Sequence, residues 1–197
     1  MKKIRIAVLV SGGGTNLQAI IDAQGSVIRS GEVVLVISNK ENAYALERAK
    51  KANIKTAVIT KKEFSAAFET EIIKTLEENE IELIVLAGFM SILSKDFTPH
   101  YDHRILNIHP SLIPSFCGEG FYGLKVHEAA LSKGVKVTGA TVHYVNEIPD
   151  GGEIIAQKAV SVLDGDTPEV LQKRVMEEAE WVIFPQAIEH VAEEILR

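Results

Sequence analysis

The sequence predicts an α/β fold: a mostly parallel central sheet with flanking helices and an antiparallel strand addition toward the C-terminus. Three observations carry this expectation. Short apolar, β-branched runs recur at IRIAVLV (4–10), VVLVIS (33–38), TAVIT (56–60), LIVLAG (83–88) and ILNIH (105–109), without the strict alternation of half-exposed strands, so they read as strands covered on both faces. Amphipathic segments lie between them over 15–23, 43–53 and 63–79, and that βαβ rhythm implies right-handed crossovers between parallel strands. In the last third the rhythm changes. KVTGATVHYV (136–145) and EIIAQKAVSV (153–162) flank NEIPDGG, two strands about a Pro/Asp/Gly turn.

The first run follows a basic start, MKK, but is only about seven residues long and leads into glycines and a helical pattern, so it reads as a strand and not a signal peptide. No apolar stretch approaches the roughly 20 residues of a membrane span. At 197 residues and 46% hydrophobic content, one core suffices, and residues 1–197 are expected to form a single domain. The net charge of −6 and the lack of a basic stretch argue against a nucleic-acid partner. The one cysteine, Cys117, has no internal partner, which fits a reducing compartment, the cytoplasm.

The chain ends in helix. Thr167 is placed as its N-cap and Pro168 at its first position, and Pro185 is expected to kink or divide it. Phe184, Ile188, Val191 and Ile195 recur at helical spacing as a docking stripe, and the acidic runs around them read as a solvated face.

Two stretches carry chemistry. SGGGTNLQAI (11–20) is a glycine-rich turn between a strand and a helix, the arrangement that presents backbone N–H groups and a helix dipole to an anion. A tight turn alone would also use glycines, but three in a row followed by Thr15 and Asn16 let several amides converge. A dinucleotide fingerprint would need a third glycine at position 17, which is Leu17, and an acid after the second strand, which ends Ser38-Asn39-Lys40. The Gly-Lys-Ser/Thr of a Walker loop is absent too. A simple phosphomonoester remains.

LNIHPSLIP (106–114) places Asn107 and His109 at the carboxyl end of a strand, two residues apart and hence on one side. An amide donates to an oxyanion without changing protonation, and an imidazolium donates and releases its proton. A carboxylate beside the histidine would keep it protonated near neutral pH, and Asp150 in PDGG is the candidate. Singly, each also suits a structural role: strand-end cap, loop histidine, turn former.

SGGGTNLQAI, LAGFM, LNIHPSLIP and the DGG turn resemble, in order over nearly the whole chain, the glycinamide ribonucleotide formyltransferase family. The resemblance implies a Rossmann-like formyltransferase fold and transfer of a formyl group from 10-formyltetrahydrofolate to the amine of 5'-phosphoribosylglycinamide, in purine biosynthesis. It implies Asn107, His109 and Asp150 as the catalytic trio. Gly13, Gly14, Thr15 and Asn16 would hold the substrate phosphate, and Glu180 the ribose hydroxyls, with spacing around it that differs by one residue. Met90, Ser91, Ile92 and Leu93, with Asn107 and the 145–150 loop, would hold the folate. His143 and Ser111 would stand behind the site. The partners implied are these small molecules, with no nucleic acid, membrane or metal, and the chain acting as a monomer or homodimer.

The chain departs from the family at Ser91 and Ser65, where relatives carry arginines that face the folate. SFCGEGFYGLKVHEAAL (115–131) is expected to be a glycine-rich loop, mobile over the cleft or simply connecting. Cys117 within it reads as inert, since formyl transfer to an amine needs no covalent intermediate. His100 and His103 lack further ligands at metal spacing and read as solvated. The alternatives are a formyltetrahydrofolate deformylase, which tends to carry an N-terminal domain and a second histidine where this chain has Pro110, and a non-catalytic phosphate-ligand binding module. Methionyl-tRNA formyltransferase would need a C-terminal domain and a basic surface.

Overall fold

A computed structural model describes residues 2–197. Seven strands, β1 (Ile4–Val10), β2 (Gly31–Ser38), β3 (Lys55–Val58), β4 (Leu83–Leu86), β5 (Ile105–His109), β6 (Val137–Tyr144) and β7 (Ile154–Ser161), form one sheet in the order β3-β2-β1-β4-β5-β6-β7. The helices are α1 (Thr15–Ala23), α2 (Tyr44–Lys51), α3 (Lys61–Phe64), α4 (Phe68–Glu78), α5 (Leu124–Lys133), α6 (Pro168–Val175) and α7 (Trp181–Leu196). Pairing is parallel from β3 to β5 and antiparallel at β5–β6 and β6–β7, as the two halves of the sequence predict.

Burial follows the period of two. Along β1, Ile6, Val8 and Val10 enter the layer beneath α1, α2, α5, α6 and α7, while Ala7 and Leu9 enter the layer beneath α4. From α4 come Phe68, Ile72 and Leu76, all buried, at the i, i+4, i+8 spacing that makes one helix face; each contributes about 2 kcal/mol relative to exposure. The chain leaves β1 for β2 on one side while β4 lies on the other, so a crevice opens above the carboxyl ends of β1, β4 and β5. No helix among the described residues is long and apolar enough to cross a membrane.

Three local expectations are corrected. The single helix over 63–79 is interrupted by a 3-10 turn at Ser65–Ala67, with Ser65 in the positive-φ region at 46°. The loop over 115–131 ends at Gly123: α5 starts at Leu124, buries Val126, His127 and Ala130, and stops at the left-handed Gly134. Pro185 does not divide the last helix. It is the fifth residue of α7, close to the end where amide partners are missing in any helix, and the irregularity falls upstream as a π-turn at Met176–Glu180. Thr167 caps α6 by accepting from the Val170 amide, with Pro168 in its first turn.

The β6–β7 pair leaves no room for a side chain at Gly139. A Cβ there would run into the Lys158 carbonyl and lie 2.8 Å from Leu112 Cδ2. Gly139→Ala is therefore expected to cost about 2 kcal/mol of stability, measured by urea denaturation; an unchanged midpoint would contradict the packing described for this strand pair.

Candidate active site

The crevice is a cleft of about 620 Å³, within the range of small-molecule sites. β5 ends at its floor, with Asn107 and His109 both among its lining residues. The 145–150 segment, returning from β6, brings Asp150 to the same floor. Asp150 holds a positive φ of 55°, and Gly152 follows where a Cβ would collide with the Tyr144 carbonyl, which accounts for the glycines after the aspartate.

Asp150 meets two imidazole rings and one backbone amide. Its Oδ2 lies 3.4 Å from His109 Nδ1 and accepts the Gly118 amide at 2.9 Å, and its Oδ1 lies 3.5 Å from His143 Nε2. Burial alone would raise the Asp150 carboxyl, but the His143 ring, the charge at His109 and the Gly118 N–H together bring it below its ordinary value. His143 Nδ1–H donates to the Tyr144 carbonyl at 2.8 Å, so its Nε2 can accept from Asn107 Nδ2–H at 3.1 Å and fix the plane of that amide. The antiparallel register sets this up, because Asn107 faces His143 across β5–β6.

His109 departs from expectation. Burial pushes its imidazole below the ordinary histidine value, and this outweighs the opposing influence of Asp150 and of the Phe116 carbonyl, with His143 lowering it further. The carboxylate therefore assists an imidazolium but does not by itself maintain one at neutral pH. Both ring nitrogens are also engaged, since Nε2–H donates to the Phe116 carbonyl at 2.8 Å. Ser111 is fully buried behind this floor, and its carbonyl accepts from Thr141 at 2.7 Å.

Of the glycine-loop residues, only Asn16 lines the cleft; Gly13 and Gly14 do not, and Thr15 borders a smaller neighbouring hollow. Gly14 sits at φ 72° against α2, where a Cβ would be 2.6 Å from that of Ala45. Asn16 Nδ2–H donates to Glu180 Oε2 at 2.6 Å, and its Oδ1 is buried without a partner. Glu180 is the last residue of the π-turn and is 6% exposed. A π-turn accommodates one extra residue in a helix, and Glu180 at the end of this one lines the cleft. Burial raises its carboxyl to about 7, with the Asn16 hydrogen bond opposing.

The 88–92 segment forms the opposite wall, with Met90 and Ile92 exposed to the cleft at 51% and 65% and Ser91 between them. Leu93 does not join them: it is buried in the layer beneath α4, turned inward where Glu69 grips the backbone of Ser94 at 2.9 Å. Ser91 accepts from Asn39 Nδ2 at 3.0 Å, and Ser65 lies outside the cleft at its helix break. Cys117 donates to the Pro114 carbonyl and its thiol is raised by burial and by Asp150, so it stays protonated. Residues given no role in the sequence reading also line the cleft: Phe89, Tyr122, Gln172, Met176 and His127. His127 is fully buried, neither ring nitrogen has a partner, and burial lowers it to about 4, helped by His109. No group of three or more metal-ligating side chains occurs among the described residues.

A family model described as formyl transferase matches residues 4–188. The chain belongs to the formyl transferase family. Within it, the chain is 44% identical to the phosphoribosylglycinamide formyltransferase of Haemophilus influenzae, over 100% of this chain and 90% of that protein. It is 48% identical to the trifunctional purine biosynthetic protein adenosine-3 of Bos taurus, of which it spans only 19%. Its fold matches the crystal structure of glycinamide ribonucleotide transformylase 1 from Symbiobacterium toebii with a TM-score of 0.90, at 42% identity, covering 98% of this chain and 89% of that one.

The raised Glu180 gives a stability prediction. Its folded value near 7 exceeds the ordinary 4.5, so the stability it contributes is full below about pH 4.5 and is lost as pH rises through about 7. Relative to Glu180→Gln, the wild type should lose on the order of 3 kcal/mol between these limits, read from denaturation midpoints; parallel curves for the two proteins would show that Glu180 titrates normally.

Proposed function

We propose that this chain transfers the formyl group of 10-formyltetrahydrofolate to the amine of 5'-phosphoribosylglycinamide, giving the N-formyl product and tetrahydrofolate, in the cytoplasm. The observation that carries the reading is one cleft in which Asn107, His109 and Asp150 share a floor, with Asn16 and Glu180 at one side and an exposed apolar wall at the other. The names of the similar proteins support the same reaction.

The cleft suits both ligands. Unpartnered buried polar atoms, Asn16 Oδ1 and the His127 nitrogens, border it, and such atoms are costly unless a ligand or water satisfies them. Glu180 suits ribose hydroxyls as an acceptor once ionised. Phe89, Met90 and Ile92 offer apolar surface for a flat ring, so this segment and Asp150 would hold the folate. The folate supplies the activated formyl carbon.

The chain's residues then act on charge. As the glycinamide amine attacks, the carbonyl pair moves onto the formyl oxygen. Asn107 offers an amide N–H already oriented by His143, and His109 offers Nε2–H once the Phe116 carbonyl gives it up. Asp150 balances the imidazolium that developing negative charge favours. One proton passes from the attacking nitrogen to the leaving nitrogen, and His109 is the titratable group suited to carry it.

The test is the absorbance change of 10-formyltetrahydrofolate with and without phosphoribosylglycinamide. Signal that requires the ribonucleotide is expected; turnover without it would reveal a deformylase, and silence in both would remove the reading. Asn107→Ala should lower turnover by about 10²-fold or more, the usual scale for an oxyanion donor, and a wild-type rate in that variant would exclude Asn107 from the chemistry.

A further inference from the structure

From Ser11 to Asn16 the glycine loop has no basic residue, and the chain as a whole carries a charge of −6. A phosphate held there needs donors and positive charge from somewhere else. Helix α2 supplies both. Arg48 donates from Nε to the Gly13 carbonyl at 2.8 Å and from Nη1 to Gln18 Oε1 at 3.1 Å, and its guanidinium carbon stands 5.1 Å from the centroid of the Tyr44 ring. The Ala45 amide donates to the preceding carbonyl, that of Gly12, at 3.0 Å. Two successive loop carbonyls are thereby turned toward α2, and the amides of Gly13, Gly14, Thr15 and Asn16 have no acceptor among the described residues.

We infer that Arg48 is a positioning residue for the phosphate loop: by holding the Gly13 carbonyl it keeps the loop amides presented to an anion, and it is the only cation hydrogen-bonded to that loop among the described residues. The inference rests on the assignment of a phosphate to this loop. The contact is specific to arginine. Its Nε and Nη1 are held in one rigid plane, so a single side chain spans a backbone carbonyl and the Gln18 amide at once while stacking on Tyr44, whereas a lysine keeps the charge with one compact donor group. The packing leaves little slack, because Gly14 is pressed against Ala45.

The test uses the intact chain and two readouts: calorimetric titration with ribose 5-phosphate, and steady-state kinetics with phosphoribosylglycinamide and 10-formyltetrahydrofolate. In Arg48→Lys the dissociation constant for ribose 5-phosphate and the KM for the ribonucleotide should each rise about tenfold, the scale of one charge-assisted hydrogen bond, and in Arg48→Gln they should rise further. The KM for the folate and kcat should stay within about twofold, since the donors at the formyl oxygen are untouched. Gln18→Ala, which removes only the Nη1 acceptor, should move the same two constants in the same direction by less. Wild-type affinity for ribose 5-phosphate in both Arg48 variants would overturn the inference, as would a loss confined to kcat or a wild type that does not bind ribose 5-phosphate. If the wild type binds ribose 5-phosphate but forms no formylated product, the substrate reading fails, and the titrations still decide the role of Arg48.

Discussion

The site depends on one carboxylate. Asp150 sits where the 145–150 segment folds back over the sheet, and its two oxygens meet His109, His143 and the Gly118 amide at 2.9 to 3.5 Å. These contacts, with the His109–Phe116 and Asn107–His143 hydrogen bonds, tie together the end of β5, the end of β6 and the 115–123 loop. Without the carboxylate, His109 would lose the anion that opposes the effect of its burial, and the Gly118 amide would lose its acceptor. Burial makes this arrangement stringent, because the same low dielectric that strengthens the contacts penalises an unpaired charge.

The sheet delivers these groups in register. β5 pairs with β6 so that Asn107 lies opposite His143 and His109 opposite Thr141, and each partner has a supporting task. His143 orients the Asn107 amide. Thr141 donates to the Ser111 carbonyl and accepts from the Ile113 amide and Gln157, fixing the turn that leaves β5. In the proposed reaction an acidic protein would handle a phosphate and an oxyanion with local donors: backbone amides, one amide side chain, one imidazole and one guanidinium.

Much of this was legible in the chain. Continuous apolar runs locate the strands to within a few residues, because a strand buried on both faces leaves no room for polar interruptions. Asn107 and His109 are readable together because their motif lies at a strand end, whereas Asp150 joins them through the family resemblance, and the return of the DGG turn to the histidine is seen only in the fold. What escaped are effects that depend on surroundings. α5 hides behind a glycine- and aromatic-rich approach; its start at Leu124 has no side-chain cap. The π-turn has no residue signature, yet it decides where Glu180 points. The resemblance places Leu93 with its neighbours at the folate, but Ile92 faces outward and Leu93 turns into the core. The position of His109 on the pH scale depends on burial, which no motif encodes. Arg48 belongs to a different helix from the loop it holds, so only the packing of α2 against Gly14 reveals it.

The central claim, that Asp150 opposes the effect of burial on the His109 imidazole, is tested most directly by following the His109 ring nitrogens by ¹⁵N NMR through a pH titration of the wild type and of Asp150→Asn. The wild-type ring should titrate below the ordinary value of 6.5, and loss of the carboxylate should move that titration lower still. A His109 titration that is unchanged or raised in Asp150→Asn would contradict the account.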